Sequence, residues 1–241
     1  MKHITHTPSL AAFAFAVTLA LTLATASSAQ TAGTGPYVEA SVGWTHANGD
    51  FARQVRDSLA ASSTYQYASA TYDRSDAGGR VAAGWGFTPN LAVELGYTDF
   101  GRFDALSTAA YKSTTAFVAY RKGRYHVSAA TLDAIAQLPV NPFLTLSARL
   151  GVALAEQAYA QRNYTSADLS GQSADFPTTR QARLHWGVGA RHAITSNLAV
   201  VANYTRIESV GHDFSSAPID KGTRAGKFGY GLLGVGLRYT F

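Results

Sequence analysis

The sequence predicts an all-β protein, an eight-stranded antiparallel up-and-down transmembrane β-barrel. Three observations predict it. Eight segments alternate apolar and polar residues with a period of two. The connections between them alternate short and long, as in a barrel with two unlike ends. The polar faces carry charges in mid-strand, and the apolar faces finish in aromatic residues. In a soluble barrel the apolar face points inward to hold a ligand; here the pattern puts it against lipid.

The chain opens MKHITHTPSLAAFAFAVTLALTLATASSAQ, with Lys2 before an apolar run from Leu10 to Leu23 and small residues beyond. This is the layout of a secretory signal peptide. Residues 1–29 are expected to be removed after Ala29, with Ala26 the alternative, leaving 30–241 as one barrel domain. Only Lys2 among the charged residues goes with it, from a total net charge of +5. There is no cysteine, which excludes disulfides, thiolate nucleophiles and thiolate metal sites. Nothing after the leader is apolar for long enough to form a membrane helix. No Pro-, Ser- or Gly-rich linker divides the chain.

The segments follow in order. Tyr37 to Thr45 sets Val38, Ala40, Val42 and Trp44 against Glu39, Ser41 and Gly43. Arg80 to Phe87 sets Val81, Ala83, Trp85 and Phe87 against Arg80, Ala82, Gly84 and Gly86. Leu91 to Asp99 sets Leu91, Val93, Leu95 and Tyr97 against Ala92, Glu94, Gly96 and Thr98. Tyr125 to Leu138 is less regular, with Ala130, Leu132, Ala134, Ala136 and Leu138 opposing Thr131, Asp133 and Gln137. Phe143 to Ala155 is cleaner, its leucines opposing Thr145, Ser147, Arg149 and Gly151. Arg183 to Ala193 and Leu198 to Thr205 come next.

The closing stretch GYGLLGVGLRYTF can be read in two ways. Gly229, Gly231 and Gly234 match the G-x-G-x-x-G phosphate pattern, but that pattern needs a following helix and a later acid, which this ending does not offer. Read by twos, Leu233, Val235, Leu237, Tyr239 and Phe241 share a face. It is a strand, and no cofactor is expected. Short connections fall at 88–90, 139–142 and 195–197, and their Pro, Asn, Ser and Thr content marks tight turns. Long ones are expected near 47–79, 101–124, 160–182 and 206–228.

The segment VELGYTDFGR, the run LPVNPFLTLSARLG, the turn in HAITSNLAV and the ending LRYTF resemble the OmpA-like family of small outer-membrane barrels. That resemblance implies a Gram-negative outer-membrane location, a structural or surface-interaction role, and no enzymatic activity. Its closing aromatics, Tyr239 and Phe241 here, resemble the signal read by the barrel-assembly machinery. The ending at Phe241 leads us to expect no peptidoglycan-binding domain of the kind full-length relatives carry. Implied partners are outer-membrane lipid and lipopolysaccharide, with a host or surface ligand at the long loops and no nucleic acid. A monomer is expected.

Candidate functional residues fall into three groups. The first is a lumen network of Glu39, Glu94, Asp133, Arg149, Arg191 and Arg238. An unpaired charge there would be very costly, so pairing is expected. Glu94 matches an interior carboxylate of the resembled family, but the position of its basic partner is Val201 here; Arg149 and Arg191 are the substitutes. The lumen is expected to be plugged, with a small pore as the alternative. The second group is Arg121, Lys122 and Arg124. The connection near 101–124 holds these with Arg102 and Lys112 against Asp104 alone, while the other three nearly balance. Their depth is that of lipopolysaccharide phosphates, which guanidinium and ammonium groups bind well. The third is His126 and Ser128, which share a strand face and resemble the His-x-Ser of lipid A deacylases. No acid on the same strand lies close by on that face. His46, His185, His192 and His212 are scattered without metal-ligand spacing.

Overall fold

The computed structural model describes residues 34–60, 63–113, 118–165, 172–211 and 227–241, so the leader of residues 1–29 and His212 lie outside the described residues. In chain order the elements are β1 (Gly35–Asn48), α1 (Phe51–Ala60), β2 (Tyr65–Tyr72), β3 (Ser75–Thr88), β4 (Leu91–Tyr111), β5 (Val118–Pro139), β6 (Leu144–Thr165), β7 (Gln172–Ala193), β8 (Leu198–Val210) and β9 (Phe228–Thr240).

Eight of the strands close an antiparallel barrel in the order β1-β3-β4-β5-β6-β7-β8-β9, and β9 pairs back onto β1. Val42 lies opposite Val235 across that closing seam, so neither terminal strand keeps a bare edge in the barrel wall. β2 is not a ninth stave. It pairs with the far part of β4, from Tyr65 opposite Tyr111 to Tyr72 opposite Ala105, while β3 pairs with the near part, from Gly79 to Thr88. The two run in line, and at the break the Asp73 N–H donates to the Asp104 carbonyl.

The tight connections form one end. In each, a side-chain oxygen at the turn's start accepts two backbone N–H bonds: Thr88 from Asn90 and Leu91, Asn141 from Phe143 and Leu144, Thr195 from Asn197 and Leu198. These are the local side-chain turns that Asn and Thr favour. The outward face is the apolar one: Val42, Leu95, Leu132, Leu150, Val188 and Val235 are all exposed. Trp85, Phe87, Phe143 and Tyr239 ring it toward the turn end, with Trp44 and Tyr97 toward the loop end.

Three expectations need correction. First, the connections near 101–124 and 160–182 are mostly strand. β4 to β7 run 21 to 22 residues against 13 to 14 for β1, β3, β8 and β9. A membrane crossing takes about 9–11 tilted residues, so one side of the barrel stands well clear of the lipid. Second, the connection near 47–79 contains a helix. Asp50 caps it by accepting from the Arg53 N–H, and Phe51 and Val55, one helical turn apart, are buried. Third, the interior of the loop half is apolar. Phe100, Phe103, Tyr125, Val127, Ile207, Phe228 and Tyr230 form its core with α1 packed over them.

The bulge between Asp99 and Arg102 is where β4 changes over. Below it Ala92, Glu94 and Thr98 face inward; above it Phe103, Ala105 and Ala109 do. One extra residue shifts the phase by one. Gly101 supplies the positive φ of 83° that the bulge needs.

Candidate functional site: a charged layer inside the barrel

Every stave contributes one inward residue to a layer in the turn half: Glu39 from β1, Arg80 from β3, Glu94 from β4, Asp133 from β5, Arg149 from β6, His185 from β7, Asn203 from β8 and Arg238 from β9. All eight are buried. They project inward because each stands on the polar parity of its strand. Several have a glycine as cross-strand partner: Gly84 opposite Glu94, Gly151 opposite Asp133 and Gly187 opposite Arg149. A Cβ at Gly84 would come 2.3 Å from the Tyr37 ring, whose hydroxyl donates to Glu94 at 2.9 Å.

Arg80 is the centre. It lies 2.5 Å from Glu94, 3.6 Å from Asp133 and 3.8 Å from Glu39. Glu94 and Asp133 are direct cross-strand partners, and two carboxylates so placed repel. The guanidinium between them is what makes the arrangement stable. Arg149 adds a second contact to Glu94 at 3.2 Å. Arg238 closes on Glu39 with Nη2 at 2.6 Å and Nε at 3.0 Å, and its guanidinium lies 4.0 Å above the Tyr37 ring. Asn203 donates to the other Glu39 oxygen at 3.1 Å. His185 Nδ1 sits 2.6 Å from Asp133.

The structure brings together five of the six expected lumen residues, namely Glu39, Glu94, Asp133, Arg149 and Arg238. It does not bring in Arg191. That side chain faces inward nearer the turns, donates to Thr145 at 3.2 Å, and among the described residues has no carboxylate within 4 Å. Sequence reasoning missed Arg80 and His185. Arg80 stood on the polar face of its segment, and that parity was the available signal. For His185 the odd parity shared with Arg183, Gly187 and Gly189 would have served.

On the outer wall Arg121 separates from its neighbours. Alternation turns Lys122 and Arg124 outward, and both meet Asp104, at 3.8 and 2.8 Å. Arg121 has the inward parity of Tyr125 and Val127 and is half-buried. The trio cannot act as one outer-surface cluster. His126 and Ser128 do share the outer face, and the acid their own strand lacks comes from β4: Asp99 Oδ1 is 3.1 Å from His126 Nε2 and Asp99 is the cross-strand partner of Ser128. No hydrogen bond joins Ser128 to His126 among the described residues. Both flanks of β5 are engaged in ladders with β4 and β6, so the strand offers no free N–H pair to hold an oxyanion. No group of three or more potential metal ligands gathers among the described residues.

A closed eight-stranded barrel with apolar staves outward and a buried ionic layer inward defines a small outer-membrane β-barrel protein. The chain belongs to the OmpA-like transmembrane domain family, whose model matches residues 32–241. No curated protein matches the sequence. Similar solved structures include Neisserial surface protein A (16% identity, TM-score 0.44, 86% of this chain and 98% of that one). The N-terminal β-barrel domain of Pseudomonas aeruginosa OprF matches at 15% identity and TM-score 0.40, covering 86% and 99%. Ail, the attachment invasion locus protein of Yersinia pestis, matches at 14% and 0.40, covering 86% and 99%.

Proposed function

We propose that this chain is a structural and surface-interaction barrel of the Gram-negative outer membrane, acting as a monomer, with a lumen that is plugged rather than conducting. The turn end and both termini face the periplasm, and the long staves carry the interaction surface outward. The observation that carries this reading is the double closure of the interior. The charged layer fills the turn half, and α1 with its aromatic bed fills the loop half. Eight staves leave little more room than their side chains need. Lys122 and Arg124 face outward on the loop side of the Tyr97–Ala130 pair, where they meet lipopolysaccharide phosphates, and Tyr239 and Phe241 serve as the assembly signal. The purified barrel in planar bilayers is expected to give no steady openings; large, steady conductance would overturn the reading.

A further inference from the structure

Beyond the bulge, the outward face of β4, β5 and β6 carries four exposed cations, Arg102, Lys122, Arg124 and Arg162. The outward acids of these strands are all engaged among the described residues: Asp99 by His126, Asp104 by Arg124 and Lys122, Glu156 by Arg180 of β7. Arg162 forms no ion pair among the described residues. Its direct cross-strand partner is Lys122. Like charges so placed repel and weaken the ladder. Asp104 reaches Lys122 from the β4 side, at 3.8 Å, while from the β6 side Lys122 faces Arg162.

Height decides which anion relieves the pair. Tyr97, opposite Ala130, belongs to the aromatic girdle at the loop end, and Lys122 stands eight residues beyond Ala130 on β5. At about 3.3 Å per residue and a strand tilt of about 40°, that is roughly 20 Å above the girdle. The headgroup layer adds only about 5–8 Å to each face of the hydrocarbon core. Lipid A carries its phosphates in that layer, below the reach of Lys122 and Arg162. The saccharide core joined to lipid A rises past the layer and bears phosphates of its own.

We propose that Lys122 and Arg162 together bind a phosphate of the lipopolysaccharide core saccharide, with Arg124 flanking it two residues nearer the membrane. The planar guanidinium of Arg162 presents two N–H donors to two phosphate oxygens, and the Lys122 ammonium donates to a third. A phosphate between them turns a repelling pair into a clamp across β5 and β6. The proposal rests on the reading that the outer wall meets lipopolysaccharide, and it names the part of that molecule that is held.

The test is native mass spectrometry of the detergent-solubilised barrel titrated with three glycolipids. These are lipid A, a lipopolysaccharide with a phosphorylated core, and the same lipopolysaccharide with its core unphosphorylated. The wild type is expected to bind the phosphorylated core about fivefold more tightly than the unphosphorylated one, the worth of one exposed charge contact. Arg162→Gln is expected to lose that preference while binding lipid A as the wild type does. Arg162→Lys, which keeps the charge, is expected to retain part of it. Arg162 is exposed, so both variants are expected to run as folded barrels on an unboiled gel. Equal wild-type affinity for the two cores, a preference surviving Arg162→Gln, or weaker lipid A binding by that variant would each overturn the proposal and leave the lipopolysaccharide reading standing. Failure of the wild type to bind any of the three would overturn both.

Discussion

The two halves of the barrel interior are built on opposite rules. In the turn half the staves point leucines and valines outward and hold ions inside. In the loop half the same staves point charges outward and hold rings inside. β5 shows the inversion along a single strand. Its outward residues pass from Leu138, Ala136, Leu132 and Ala130 to Ser128, His126, Arg124 and Lys122, while its inward ones pass from Gln137, Asp133 and Thr131 to Ala129, Val127 and Tyr125. The period never changes; the surroundings do. Where lipid touches the wall the apolar face must be outside. Where water touches it the ordinary hydrophobic effect returns and the apolar face goes in. The chain is therefore a membrane barrel whose staves continue into a small conventional core, capped by a helix.

The comparison makes its strongest prediction at Arg80. The turn half depends on charge pairing, and removing Arg80 leaves the cross-strand carboxylates of Glu94 and Asp133 facing each other without the guanidinium between them. Breaking a buried pair typically costs about 3–5 kcal/mol. Arg80→Met is expected to lose stability of that order, read from urea unfolding of the detergent-solubilised barrel. Arg80→Met with Glu94→Gln should recover part of the loss, since the uncompensated charge is then removed with its partner. A double variant no better than the single would show that Arg80 acts by packing and not by charge.

The loop half depends on apolar burial, and its effects are smaller and local. Val55 is buried under α1, and its removal from water contributes about 1.5–3 kcal/mol. α1 is also held by Phe51 against Phe228 and Tyr72, by Arg56 over the Tyr67 ring, and by a reciprocal pair between the Gln54 amide and the Lys227 backbone. Val55→Ala should release α1 while the charged layer stays closed. Faster amide exchange over 51–60 and 227–230, with the turn-half strands still protected, is the expected result. Uniform loss of protection would mean the two halves are one cooperative unit.

This division also explains what the sequence made legible. The eight lipid-facing runs, the Thr- and Asn-initiated turns and the inward charges could be read from parity, because in the turn half one rule holds along the chain. Reading stopped near Asp99 and Ala155, where the outward face turns polar and the strands look like loops. α1 had its own signal, Asp50 followed by Phe51, Val55 and Leu59 at helical spacing, hidden inside a stretch taken as a connection. The Arg80–Glu94 contact was beyond reach. Which charge meets which depends on the depth at which separate strands set their side chains, and no single segment encodes that.

The smallest expected effect lies on the outer wall, where loop-half polarity begins. Asp104 accepts hydrogen bonds from Arg124 Nε and Nη2, and that contact first, then the charges of Arg124 and Lys122, hold its carboxyl below the usual carboxylate range. A depressed acid favours the folded state above its unfolded pKa, and that contribution is lost as pH falls through the lower folded value. At neutral pH the carboxylate thus remains charged and competes with lipid phosphates for the same two cations. Three consequences follow for lipopolysaccharide that co-purifies with the barrel. Lys122→Gln with Arg124→Gln should lower it; Asp104→Asn, which frees both cations, should raise it modestly; Arg121→Gln, on the inward face, should leave it unchanged. Because the pair is exposed, each shift should shrink in high salt. Phosphate assay of the purified protein, normalised to barrel content, measures all three. If Asp104→Asn lowered lipid retention, the carboxylate would be holding Arg124 in its binding position, and the competition would be refuted.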